Sequence, residues 1–161
     1  MTGPRRPLRG ITPQASPAVL EARYERVAGR TPPGDDVDAM EAALGVDLPD
    51  DARAIIRFYR GGMLGGISHL TWATTGSYSV VERTAALRRA LDLPAIFVVL
   101  AEPVEAAIVW RRDRPSVVWC HAHDIERVVR GEPPTSDVTS WDTYAGFFEY
   151  MLNAEEEEQS E

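Results

Sequence analysis

The sequence predicts an α+β protein with a mainly antiparallel sheet flanked by helices, and three observations lead there. Capped segments with helical spacing occupy the first third of the chain. Three short β-branched runs follow Pro94, the last two joined by a polar link suited to a hairpin. A helical segment rich in aromatics closes the chain. The 161 residues fit one domain, expected over residues 16–153. A composition of 44% apolar and 26% charged residues is that of a globular protein.

Residues 1–15 carry three Pro and no apolar period, which describes a flexible arm. Ser16 then stands as N-cap with Pro17 at the first helical position, and Leu20, Tyr24 and Val27 follow at i, i+4 and i+7 up to Gly29. After the break at Thr31-Pro-Pro-Gly34, Asp36 caps a short helix that carries Val37, Met40 and Leu44 and stops at Gly45. A third helix is expected from Asp50 or Asp51, with Ala52, Ile55, Ile56 and Tyr59 on one side before Gly61 and Gly62. Acidic residues in a first helical turn are favoured by the helix dipole.

Residues 67–74 mix β-branched and aromatic types and suit a strand. Ser79 and Glu82 make a capping box for a helix that Pro94 ends. Strands are expected at Ala95–Leu100, Ala106–Arg111 and Ser116–His121, in an antiparallel meander, then a brief helical turn at Asp124–Val129. Ser140 is the expected cap of the last helix, with Tyr144, Phe147, Phe148, Met151 and Leu152 as its stripe. From Ala154 onward the acidic run reads as a disordered tail.

The formal charge of −8 is uneven: five negatives sit at Glu155–Glu158 and Glu161, three positives at Arg5, Arg6 and Arg9, and the residues between carry −6. An acidic body repels phosphate backbones and steers basic proteins toward itself, so a protein partner is expected and nucleic acid is not. Cys120 is the sole cysteine, which excludes an internal disulfide and fits a reducing compartment. With no apolar leader and no run of about 20 apolar residues, the expected location is the cytoplasm, without membrane contact.

Chemistry-bearing residues are few. His121 and His123 would share one side of a continuing strand and resemble a zinc pair. Such sites need three or four ligands, and the remaining imidazole is His69. Cys120 follows Val117-Val-Trp119 and reads as a small core residue rather than a nucleophile. Gly61-Gly-Met-Leu-Gly-Gly66 follows a helix and lacks the Gly-Lys-Ser/Thr of a phosphate loop, so a helix stop and tight turn explain it. All 17 basic residues other than His are Arg, which rules out lysine-based phosphate grips and Schiff bases. No catalytic constellation and no cofactor are expected.

Residues 37–62, from Val37 through Leu44, Gly45, Leu48, Pro49, Phe58 and Tyr59 to Gly61 and Gly62, resemble the opening signature of the SUKH superfamily. That signature is an amphipathic helix, a Gly-Val/Ile-x-Leu-Pro joint, and a helix ending in an aromatic before a Gly-Gly-type turn. The layout resembles the family over about residues 36–152. One stretch departs from it: Ala101-Glu-Pro-Val-Glu105 lacks the Gly that the family places between its central strands. The resemblance implies a curved, mainly antiparallel sheet flanked by helices. It also implies a non-catalytic protein binder, in bacterial members an immunity protein that neutralises a toxin, often a nuclease. Glu102, Glu105, Asp113, Asp124 and Glu126 are the surface candidates for meeting a basic toxin domain. The alternatives are a regulatory or scaffolding module of the same fold and a metal-dependent enzyme using His121 and His123.

Overall fold

In a computed structural model that describes residues 15–29, 36–93 and 96–160, six strands lie in chain order across one open sheet, each antiparallel to the one before. They are β1 (Gly62–Leu64), β2 (Ile67–His69), β3 (Phe97–Ala101), β4 (Ala106–Arg111), β5 (Val117–His121) and β6 (Thr139–Trp141). The helices are α1 (Pro17–Ala28), α2 (Val37–Leu44), α3 (Asp50–Ile56), α4 (Val80–Leu91), α5 (Ile125–Val129) and α6 (Tyr144–Gln159). The expected α+β architecture is present. All but Ala15 of the arm expected over residues 1–15, the break at Thr31–Gly34, the helix stop at Pro94, the strand start at Ala95 and the final Glu161 lie outside the described residues.

Three of the caps read from sequence form as hydrogen bonds. Ser16 Oγ accepts from Val19 N, Asp36 from Asp38 N and Ser79 Oγ from Glu82 N. Such a contact is worth about 1 kcal/mol per helix start. Arg53 joins α3 to α2 through Asp38 at 2.7 Å and through Glu41, whose other oxygen accepts from Leu48 N at 2.6 Å. That clamp fixes the angle at the Leu48-Pro49 joint.

The two sides of the sheet have different covers. Adjacent strand residues point to opposite sides, and in β4 Arg111 donates to Val128 O of α5 while Trp110 lies near Pro49 and Thr143. Phe97, the register partner of Arg111, sits under the Arg88 guanidinium of α4. So α4 and α5 cover one side, and α6, packed on α1 and α3, covers the other. Tyr24, Tyr59 and Phe148 meet there with centroids 5.0–5.8 Å apart. Such pairs add about 0.5–1.5 kcal/mol each beyond the area they bury.

Four expectations need correction. Residues 67–74 do not form one strand: β2 ends at His69, and Gly65 and Gly66, both with positive φ, turn the chain back from a second strand, β1. A Cβ on Gly65 would lie 2.9 Å from Met151 O, so glycine is required by space as well as by φ. The third helix stops at Ile56, short of Tyr59. Ser140 does not cap α6, because Thr139–Trp141 pair with β5; Thr143 Oγ1 accepts from Gly146 N instead, and Asp51 of α3 accepts from Ala145 N at 2.8 Å. Lastly, the acidic run is helical to Gln159. Arg23 of α1 binds Glu156, Glu155 accepts from Gly65 N, and Gln159 donates to Val27 O. Pairing of Glu156 with Arg23 and the donor to Glu155 thus reduce the repulsion within the run.

Candidate functional site

A groove of about 390 Å³ opens on the α6 side of the sheet, where β4, β5 and β6 end. Register explains its walls. Trp119 pairs with Ile108 on one flank and Thr139 on the other, and His121 pairs with Ala106, so these side chains share one side. Trp141, fully buried, forms the floor, with its ring 5.0 Å from Phe147 and 5.3 Å from Tyr150. Its Nε1 donor has no acceptor among the described residues. Tyr150 of α6 is 46% exposed and Val104 of the β3–β4 turn is 93% exposed, two apolar surfaces left in water at the same opening. Glu105 and Asp137 supply the carboxylates.

The β3–β4 turn is held in an unusual backbone state. Glu105 has φ of 59°, the left-handed region that glycine enters freely and other residues enter at a cost of about 1–2 kcal/mol. A glutamate thus stands in this turn in a backbone conformation that favours glycine. Two backbone bonds hold it: Ala106 N donates to Pro103 O at 3.0 Å, and Ala122 N to Glu105 O at 2.9 Å. The register shift between Val99 and Ala101 adds a bulge just before the turn.

Of the five acidic candidates, Glu105 alone lines this groove. Glu102 stands in the same turn but is gripped by Arg83 of α4, at 2.6 Å from Nε and 2.9 Å from Nη2. Asp113 lies in the β4–β5 hairpin, whose Trp110–Val117 end is opposite the Ala106–His121 end. Glu126 is on α5, on the other side of the sheet, 3.5 Å from Arg130.

Asp124 is not a surface residue at all. It is fully buried and accepts from Thr135 N, Thr135 Oγ1 and Ser136 N at 2.8–3.0 Å. Burial alone would raise its pKa, but those three bonds and nearby His123 outweigh it and hold the carboxyl below the ordinary aspartate value. Its role is to tie down the loop that delivers Asp137 and Val138 to the groove.

The strand does not continue through His123: β5 ends at His121 and residues Ala122–Asp124 form a 3-10 turn. The two imidazoles nonetheless lie 4.7 Å apart, both exposed. His123 Nε2 is 3.0 Å from Thr135 Oγ1, and among the described residues no group of three His, Cys, Asp or Glu is placed to hold a metal. Cys120 is buried, and burial, with Asp124 adding to it, pushes the thiol up to about 12, so it is protonated at neutral pH. His69 is also buried, its Nε2 3.1 Å from Leu64 O, and burial lowers its pKa. Among the described residues no helix is long and apolar enough to cross a membrane.

Trp119, Asp137, Val138, Tyr150 and Val104 were not singled out from sequence. A signal existed for two of them. Val104 is an apolar residue in a turn between carboxylates, and Tyr150 is one aromatic more than the stripe of α6 needs. The chain matches no model of a known protein family, and no curated protein matches it significantly.

Proposed function

We propose that the chain is a non-catalytic protein-binding module, an immunity protein that neutralises a basic toxin domain, with nucleases as the fitting class, by binding and occluding it. The observation that carries this reading is the groove: aromatic and aliphatic surface left in water beside two carboxylates, the arrangement of a binding centre rather than of a solvated surface. A nuclease needs a basic substrate channel, and the acidic chain, at −8, would be steered to it. The SUKH resemblance of residues 37–62 and the antiparallel α+β fold support the same reading. A cytoplasmic site of action suits the single buried thiol.

Co-expression tests it. A toxin domain encoded beside this gene should arrest growth alone and not when this chain is present, and the two should co-purify. The reading falls if no such neighbour exists or if the pair neither rescues nor co-purifies; a neighbouring regulator that co-purifies instead would establish the scaffolding alternative.

A further inference from the structure

We infer that the groove is an arginine receptor: one Arg side chain of the protein partner enters it, lies against Trp119 and Tyr150, and pairs its guanidinium with Glu105 and Asp137. This rests on the protein-binding reading and names the contact at its centre. Four observations converge on it.

The first is unmatched charge. The chain carries 17 Arg, and several of its carboxylates are taken up by them: Glu156 by Arg23, Glu41 and Asp38 by Arg53, Glu102 by Arg83. Among the described residues no Arg lines the groove, and neither Glu105 nor Asp137 has a cation within 4.0 Å. Two carboxylates beside partly desolvating walls attract a cation and repel phosphate.

The second is the wall. Trp119 and Tyr150 present aromatic surface beside those carboxylates, and a guanidinium stacks on such rings while its edge pairs with oxygen. The third is size: about 390 Å³ lies at the low end of the range for ligand pockets, suited to one inserted side chain rather than a broad flat contact. The fourth is preorganisation. Glu105 is held in the left-handed region by two backbone bonds, and Asp137 follows a loop bound through Asp124, so the backbone that carries each carboxylate is already in place before binding. Arg is favoured over Lys because its planar group is less strongly hydrated and satisfies two carboxylates at once.

The test uses the full chain labelled with nitrogen-15, following the indole signals of Trp72, Trp110, Trp119 and Trp141. The probe is the pentapeptide acetyl-Gly-Ala-Arg-Ala-Gly-amide, with Lys and the neutral isostere citrulline as controls. The Arg peptide should shift Trp119 saturably, with Lys weaker and citrulline without effect. The double variant Glu105→Gln, Asp137→Asn, verified as folded by its urea midpoint, should weaken the Arg peptide by about tenfold or more.

Equal response to Arg and citrulline, shifts centred on Trp110, or a double variant that binds as the natural chain does would each overturn the inference. So would the absence of a saturable Trp119 shift with the Arg peptide. A toxin domain that still co-purifies with the double variant would remove the arginine contact from that interface and leave the protein-binding reading standing. A chain that takes the Arg peptide but neutralises no toxin would do the reverse.

Discussion

Glu105 sits where a glycine would rest more easily, and it lines the groove. Replacing it separates the two effects. Glu105→Gly relieves a conformational cost of about 1–2 kcal/mol but adds glycine's own entropy cost of about 0.5–1 kcal/mol. The variant should therefore be as stable or more stable by up to about 1.5 kcal/mol, read as the same or a higher urea midpoint, while partner capture weakens. A clear loss of stability would mean that the turn depends on the carboxylate itself. Asp124 makes the opposite case. Its pKa is depressed in the folded chain from the ordinary 3.8, so the unfolded chain takes up the proton first as pH falls. Its stabilisation is complete above that value and is lost as pH drops through the folded pKa. Unfolding curves between pH 2 and 6 should show the natural chain losing stability at the acid end more steeply than Asp124→Asn. At neutral pH that variant should already be weaker by about 1–3 kcal/mol, from a buried donor left without an acceptor.

At the level of elements, legibility followed cap chemistry and length. Helices α1, α2 and α4 were readable because Ser16, Asp36 and Ser79 stand immediately before an apolar period and do form the caps. The meander β3–β5 was readable because runs such as Phe97–Ala101 are β-branched or apolar and buried throughout. The three-residue strands β1 and β6 were not, since Gly62–Leu64 and Thr139–Trp141 have no period to detect and exist through pairing with their neighbours. That pairing also moved the α6 cap from Ser140 to Thr143. The helical acidic end was hidden for the same reason: its stabilising partners, Arg23, Gly65 and Val27, are more than 85 positions away along the chain. Deleting residues 154–160 and Glu161 should accordingly cost about 1–2 kcal/mol, read as a lower urea midpoint whose difference shrinks in high salt. A truncation with no effect would show the interhelical contacts to be idle.

On the scale of the molecule, the sheet could be anticipated, but the groove could not. Its members at 104–106, 119–121, 137–139, 141 and 150 come together only once β4, β5 and β6 are in register and α6 lies beside them. Sequence spacing instead drew attention to compact motifs, of which Cys120 is a buried protonated thiol and His121–His123 an exposed pair. The acidic balance is a sum over the chain, and formal charge does not distinguish Glu105 from Glu102, which Arg83 neutralises. The chain-order sheet and the position of α6 have a further consequence for biosynthesis. Strands β1 to β6 can add one by one as the polypeptide leaves the ribosome, because each finds its partner already made. The last helix is different: it packs against α1, α3, β1 and β6, and supplies Phe148 to Tyr24 and Tyr59. Until residue 152 has cleared the exit tunnel, that aromatic surface stays uncovered. The nascent chain is therefore open to chaperones and to aggregation until α6 docks, and the aromatic surface closes in that one step.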